Sequence, residues 1–442
     1  MKFRNKNVLV YGLGKSGLGA IKLLLKKKAK VFVFDDNISA LKNYFHKDVI
    51  KLENLTQNIL KMFSFIVVNP CVSKYSENLK LAKLLNVKMI SEIELAYFCA
   101  KEQVIGINGT NGKTTTSTLT YQILKNAGKK TKLVGNVGKS FCGEVCENKK
   151  GFFVCEVSSF QLETVKDFKS KIGCFLNFSE NHLDRHFSLD EYFKTKLKIF
   201  NGKGIKILNY DDKNFENLRF ENLYYFSKSK EVRGVFVKGG EIYFKDKKCE
   251  KVLNAGKIKL LGEHNLENVL CAVLICKLLK VKNEVIEKTV ENFYGIEHRI
   301  EFVEEIKGVK FYNDSKSTTV ESCLKALDCF ASKKVLLIVG GSDKGFSFDK
   351  LFENIKDNVC EVICYGEVKD KILASASKFN FSNIISTSSF SNMVNLAKNL
   401  SLSGGYEIVL FSPATASFDM FKNFEERGKT FKKLVGEIKS EV

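Results

Sequence analysis

Proline occurs only twice in 442 residues, at Pro70 and Pro413. Linkers must therefore be sought from glycine and charge. Arginine is scarce as well: Arg4, Arg185, Arg219, Arg233, Arg299 and Arg427 are all there are. The formal net charge of +21 thus rests on lysines spread along the whole chain. Base readout favours the planar fork of arginine, and neither a recognition helix nor an RNP-type aromatic cluster stands out. Nucleic acid is not an expected partner, although the charge suits attraction of multiply anionic small substrates. The thirteen cysteines show no CxxC and no zinc spacing. They read as small apolar residues of a reducing compartment. No apolar run approaches the roughly 18 residues of a membrane span, and no signal peptide precedes the first strand. A cytoplasmic protein, working as a monomer, is the expectation.

What is present is alternation. Apolar runs alternate with helical patterns nearly throughout, which predicts α/β architecture with largely parallel sheets. Three blocks follow. The first, residues 1–91, opens with a strand at Val8–Tyr11, a glycine turn, a helix to about Lys28 and a strand at Val31–Phe34. The second, residues 92–295, has strands at Val104–Asn108, Phe153–Val157 and Ile172–Leu176. Short pieces at Tyr224–Phe226, Val235–Val237 and Ile242–Phe244 read as an antiparallel excursion, and a helix at Asn265–Leu279 follows. The third, residues 296–442, has strands at Val309–Asn313, Lys334–Val339, Glu361–Tyr365 and Glu407–Phe411.

The chemistry clusters where strands end. Gly12-Leu13-Gly14-Lys15-Ser16-Gly17 is a GxGxxG between a strand and a helix, and Asp35 ends the next strand. A helix N-terminus there offers free N–H groups to a diphosphate, and the acid could hold a ribose hydroxyl. The motif alone leaves a nicotinamide cofactor, another diphosphate nucleotide or a structural turn open. Gly109-Thr110-Asn111-Gly112-Lys113-Thr114-Thr115 is more specific. Backbone N–H groups can wrap phosphates, Lys113 can offset their charge and Thr114 can ligate Mg²⁺. Ile107 stands where the strict Walker spacing has glycine.

Glu156 ends a buried strand in the same block and reads either as a metal ligand or as a cap. Asn177 to His186 packs acids and imidazoles into one loop, from which His182 could serve a metal. Lys196 lies in a helical stretch, where a solvated face is the simplest reading. Asn265 reads equally as an N-cap or a base contact. Arg299, at the entry to the third block, could reach phosphates. Asn313–Thr318, Gly340–Gly345 and Ser412–Phe418 are three further polar loops at strand C-ends.

Taken together, the motifs GTNGKTT, EVSSFQLE, NHLDRH, GEHNLEN, EHR, NDSKST, GGSDKG and SPATASFDMFKNFEERG resemble the Mur ligases over nearly the whole chain. The resemblance implies three domains: a Rossmann-like N-terminal domain for a UDP-linked substrate, a central P-loop ATPase-like domain, and a Rossmann-like C-terminal domain for an amino acid. It is closest to members that add D-glutamate to UDP-N-acetylmuramoyl-L-alanine, using ATP and Mg²⁺. It assigns Gly12, Gly14, Ser16, Gly17, Asp35 and Asn136 to the UDP substrate. ATP takes Gly109, Thr110, Asn111, Gly112, Lys113, Thr114, Thr115, Asn265, Asn268, Arg299 and Asp314. The metals take Thr114, Glu156, His182 and Lys196, the last as a carbamate. Lys113, His182, Lys196 and Arg299 are the implied catalytic set. Lys316, Thr318, Lys344, Ser417, Phe418 and Phe424 would surround D-glutamate. Two departures stand out: Cys71 follows Pro70 where the family loop usually reads Pro-Gly, and Asp36 and Asn37 stand where some relatives present Thr-Arg to the uracil.

The implied mechanism phosphorylates a carboxylate, because oxide is too poor a leaving group for an amine to displace directly. The acyl phosphate is then attacked by the amine of D-glutamate, with His182 as a candidate base. Closure of the domains is expected to keep water from the acyl phosphate. Other readings are a different Mur ligase, folylpolyglutamate synthase, a Rossmann oxidoreductase, and a P-loop binding protein without ligation.

Overall fold

A computed structural model describes residues 3–101, 103–145, 151–181, 185–260, 262–345 and 347–441. The chain forms two compact units, Met1–Lys259 with Glu263–Phe293, and Tyr294–Val442 with Leu260–Gly262. Among the described residues there are three sheets, two of them in the first unit.

The first sheet is parallel, in the order Val49–Lys51, Lys30–Phe34, Asn7–Tyr11, Phe65–Val68, Met89–Ser91. Its three central strands are short, rich in β-branched residues and buried on both faces, as parallel sheets require, while the edge strand Val49–Lys51 is largely exposed. Strand order reverses beside Asn7–Tyr11, so the glycine loop that follows lies at a topological switch point. Residues of helix Glu92–Cys99 join this sheet to the next. Its Glu94 is fully buried and accepts backbone N–H groups from Lys166 (3.1 Å), Asp167 (2.7 Å) and Phe168 (2.7 Å). Glu92 accepts from Ser140 Oγ (2.7 Å) and Cys142 N (2.6 Å), and burial pushes its carboxyl pKa up.

Helix Lys15–Lys26 of the first sheet packs on Ser140 and Gly143 through Gly19, where a Cβ would overlap the Ser140 side chain. Gly19→Val is therefore expected to cost about 2 kcal/mol by overpacking. A thermal melt checks this; an unchanged midpoint would contradict the close approach.

The second sheet runs Cys249–Asn254, Glu241–Lys245, Gly234–Lys238, Leu223–Ser227, Ile205–Asn209, Ile172–Phe175, Gln103–Asn108, Phe152–Glu156, Thr131–Gly135. Its order reverses about Gln103–Asn108, which places the phosphate-loop motif at a second switch point. The expected antiparallel excursion starts later than the sequence suggested. Tyr224–Phe226 lies in Leu223–Ser227, which is parallel to both neighbours; reversal begins between Gly234–Lys238 and Glu241–Lys245. Gly234, at φ +140°, lets the returning chain lie against Tyr225, where any Cβ would overlap the Tyr225 carbonyl, and Asp211 pins the end of the preceding strand through Ser227 Oγ (2.9 Å) and Lys228 N (2.7 Å).

The second unit holds the third sheet, ordered Glu301–Ile306, Val309–Asn313, Ile408–Phe411, Val335–Gly340, Val359–Tyr365, Ile384–Thr387. All pairs are parallel except the first. The strands before the three polar loops are neighbours, so those loops meet at one edge.

Candidate functional site

In the first unit the phosphate loop joins strand Gln103–Asn108 to helix Lys113–Asn126. Gly112 caps this helix at φ +79°, a left-handed conformation natural to glycine, and a Cβ there would overlap the Asn268 side chain. The loop is pinned from outside: Thr110 N donates to Asn177 O (3.0 Å) and Asn111 N to Asn177 Oδ1 (2.8 Å). Lys113 Nζ folds back onto Gly109 O and Thr110 O, both at 2.8 Å. Thr114 is half-buried and Thr115 buried in the first helical turn. Asn268 is buried, accepts from Thr116 Oγ1 (3.3 Å) and donates to Asn265 Oδ1 (3.0 Å). The N-cap reading of Asn265 is corrected, since the helix is Glu263–Leu278 and Asn265 lies within its first turn.

Lys196 does not lie on a solvated face. It is 1% exposed, and its Nζ donates to Asn108 Oδ1 (3.0 Å) and Gly109 O (2.8 Å), against the base of the phosphate loop. The amine also sits 4.8 Å from the Tyr192 ring centroid. Burial, then the charge of Lys113, pushes its pKa down to about 6. Such an amine is largely neutral at pH 7.

Glu156 ends strand Phe152–Glu156, the direct neighbour of Gln103–Asn108. It is buried; Asn136 Nδ2 donates to its Oε1 (2.7 Å), while Oε2 has no hydrogen-bond partner. An orphaned buried carboxylate oxygen beside a phosphate loop fits a cation. Asn136, assigned by resemblance to the UDP substrate, is thus placed on Glu156. No group of three or more His, Cys, Asp and Glu among the described residues could hold a metal alone. Mg²⁺ commonly needs only one or two protein carboxylates, the rest being phosphates and water. His182 lies outside the described residues.

The glycine loop Gly12–Gly17 is walled by Asn69, whose side chain meets the space above Gly12 and Gly14. Ser16 is half-buried in the first helical turn. Asp35 braces this loop, accepting from Leu13 N (2.6 Å) and Asn37 N (2.8 Å). Asp36 accepts from Tyr11 Oη (2.8 Å), and Asn37 caps helix Ile38–Asn43. Cys71, the departure from the family glycine, is exposed, with its N–H on Asn69 Oδ1 (3.1 Å).

In the second unit Arg299 is exposed between two strained residues, His298 at φ +66° and Ile300 at φ +45°. Such angles are rare for a β-branched side chain. They are held by Ile300 N on Asp314 Oδ1 (3.2 Å), His298 N on Glu301 Oε2 (2.8 Å) and Lys316 N on His298 O (3.0 Å). Asp314 is buried and accepts from Ser412 Oγ (2.7 Å); burial raises its carboxyl pKa from 3.8 to about 6.

Charging this acid therefore costs stability as pH rises from about 4 through 6, and the cost is complete above 6. Asp314→Asn is expected to stabilise the protein by about 2 kcal/mol at pH 7.5, the gain shrinking towards pH 4. Melting curves of both proteins across that range check it; a gain that grew as pH fell would contradict the assignment.

Lys316, Lys344 and Phe418 are exposed on the three converging loops, Thr318 and Phe424 are half-buried, and Ser417 is buried. The loops are cross-tied: Ser342 N donates to Ala416 O (2.9 Å), Thr415 Oγ1 to Ser342 O (2.7 Å) and Ser315 Oγ to Phe424 O (2.8 Å). The binder of all this is Arg427, which motif reading passed over. It is fully buried and donates to Ser315 Oγ, Ser315 O, Thr415 O and Ala416 O at 2.8–3.0 Å. Glu92, Glu94, Gly19 and Arg185 were missed likewise; only an unexpected acid or glycine in an apolar helix hinted at the first three.

The first unit thus carries a glycine loop walled by Asn69 and a phosphate-loop motif with a buried lysine and an orphaned acid, the pattern of a nucleotide-dependent enzyme; the second unit by itself carries a cluster of cationic loops. Comparison agrees. Residues 6–91 match the Mur ligase MurD-like N-terminal domain, 107–276 the Mur ligase middle domain, and 298–415 the Mur ligase glutamate ligase domain. The chain belongs to the Mur ligase family.

Curated relatives named UDP-N-acetylmuramoylalanine--D-glutamate ligase include one from Caldicellulosiruptor bescii, 38% identical over 99% of each chain. Another, from Caldanaerobacter subterraneus, is 39% identical over 99% of this chain and all of that one. The fold is shared with MurF from Acinetobacter baumannii (TM-score 0.59, 15% identity, 99% and 92% covered). It is also shared with the Thermotoga maritima MurF ligase solved with ADP (TM-score 0.53, 17% identity, 99% and 96% covered).

Proposed function

We propose that this protein is an ATP-dependent ligase that joins D-glutamate to UDP-N-acetylmuramoyl-L-alanine in the synthesis of peptidoglycan precursors. Full-length similarity to relatives of that name supports the reading. The structural observation that carries it is the buried Lys196 amine on Gly109 O, beside a phosphate loop flanked by Glu156. We assign the domains to residues 1–91, 92–295 and 296–442, for the UDP substrate, ATP and D-glutamate. A cytoplasmic location suits such substrates; no helix among the described residues is long and apolar enough to cross a membrane.

In this reading Gly109–Thr115 wraps the ATP phosphates with backbone N–H groups, and Lys113 swings from its loop carbonyls to the phosphates. The alanyl carboxylate attacks the γ-phosphorus, giving an acyl phosphate and ADP. The D-glutamate amine then attacks the acyl carbon, and phosphate leaves with one former carboxylate oxygen. Arg299 and Asp314 are assigned to ATP, with Asn265 and Asn268 at its nucleoside end. Lys316 and Lys344 provide cations for the carboxylates of D-glutamate, with Thr318, Ser417, Phe418 and Phe424 around it.

Mg²⁺ would be held by Thr114, Glu156, His182 and Lys196, and would supply charge neutralisation at the phosphates. Lys196 fits a carbamate role: its neutral amine can add to CO₂, forming an N–C bond and losing one proton. That converts a neutral amine into an anionic ligand. A ¹³C carbamate resonance in bicarbonate-fed protein, absent from Lys196→Met, checks this without any assay of activity.

The test of the function is phosphate release from ATP with UDP-N-acetylmuramoyl-L-alanine, comparing D-glutamate, L-glutamate and no amino acid. Release requiring both the UDP substrate and D-glutamate is expected. Release indifferent to the amino acid would leave only an ATPase.

A further inference from the structure

We propose that Arg185 is a positioning residue that ties the first domain's diphosphate loop to the segment carrying Glu156, and so sets affinity for the UDP-linked substrate. The proposal rests on the ligase reading above. The loop after strand Phe65–Val68 supplies Asn69, the wall of the glycine turn. Three residues on, Val72 O accepts Arg185 Nη2 (3.0 Å). The same Nη2 also donates to Glu163 Oε2 (2.8 Å), and Nε donates to Glu163 Oε1 (2.9 Å), so the guanidinium grips the carboxylate through two nitrogens. Its plane lies over the Phe160 ring, 4.2 Å from the centroid. Phe160 and Glu163 belong to the segment that continues from Glu156, so one cation spans the wall of one nucleotide loop and the flank of the other.

The contact is reinforced on its outer side. Lys74 pairs with Glu191 (2.6 Å), and the Tyr75 ring lies against Phe187 with centroids 4.8 Å apart. His186 meets Ser159 Oγ at 3.2 Å. Residues 185–191 thus form a strap, held by the loop after Phe65–Val68 on one side and by the segment after Glu156 on the other. Arg185 and Glu163 are both largely buried (side chains 11% and 8% exposed), so the pair is little screened by solvent. Lysine cannot replace it, because a point charge cannot serve two carboxylate oxygens and a carbonyl with fixed fork geometry.

Arg185→Lys and Glu163→Gln are each expected to raise KM for UDP-N-acetylmuramoyl-L-alanine about tenfold. KM for ATP, KM for D-glutamate and kcat should stay within about threefold. Direct binding of the UDP substrate without ATP should weaken by the same factor. Parallel losses in every parameter together with a lowered melting temperature would overturn the proposal, as would an unchanged KM for the UDP substrate. If Arg185→Lys does not fold, Lys74→Met, on the outer side of the strap, gives the same reading. Failure of the wild type to require the UDP substrate and D-glutamate would instead sink the ligase reading, whatever the variants do.

Discussion

Lys196→Met is expected to cut ligation by at least about a thousandfold while leaving the protein folded and no less stable. The two halves of this result have separate causes. The Lys196 side chain is almost wholly enclosed, and its charged form is opposed by burial and by Lys113. Methionine fills a similar volume without that cost. The groups it leaves behind keep partners: Asn108 Oδ1 still accepts from Gly109 N (2.6 Å), and Gly109 O from Lys113 Nζ (2.8 Å). Stability at neutral pH should therefore hold or rise. Activity should not survive, because the carbamate proposed for Lys196 is lost from beside the phosphates and Glu156 is left without it. Melting curves and phosphate release, measured on the same preparation, check both halves. A variant that ligates at near wild-type rate would remove Lys196 from the chemistry, and a collapsed melting temperature would reduce it to a structural residue.

Arg427→Met is expected to be among the most destabilising single changes in the second unit, by about 3–5 kcal/mol. Arg427 has no exposed surface, and its acceptors are three carbonyls and one hydroxyl. These oxygens belong to the loops after Val309–Asn313 and Ile408–Phe411, which carry Lys316, Ser417 and Phe418. Removing the guanidinium strands buried acceptors and releases the loops together. Lysine reaches too few of the acceptors to substitute. Thermal melts should show the loss. At a temperature where the variant is still folded, KM for D-glutamate should rise at least about tenfold. An unchanged melting temperature would contradict the role described.

The contrast between these residues explains what was legible in sequence. Phosphate and diphosphate sites need glycines and cations at a strand-to-helix junction, so their signal is local: Gly109–Thr115 and Gly12–Gly17 could be placed without coordinates. The buried lysine was visible only by resemblance, since nothing in Lys194-Thr195-Lys196 distinguishes the residue that turns inward. Arg427, Arg185 and Glu94 were illegible because their partners lie far along the chain, at Ser315, Val72 and Phe168. Edge strands were missed for a related reason. Thr131–Gly135 and Glu301–Ile306 are half-solvated and polar, and only pairing with a buried neighbour makes them strands. Leu223–Ser227 was found but given the wrong sense, because its parallel neighbour returns through a close approach of Gly234 to Tyr225 that no local pattern reveals.

In the proposed reaction a phosphorylated alanyl carboxylate is captured by D-glutamate. The most direct measurement labels that carboxylate with ¹⁸O and follows the label by mass spectrometry after a single turnover with ATP and D-glutamate. Amide product is expected together with inorganic phosphate carrying one ¹⁸O. Unlabelled phosphate, or phosphate formed without the amide, would contradict it.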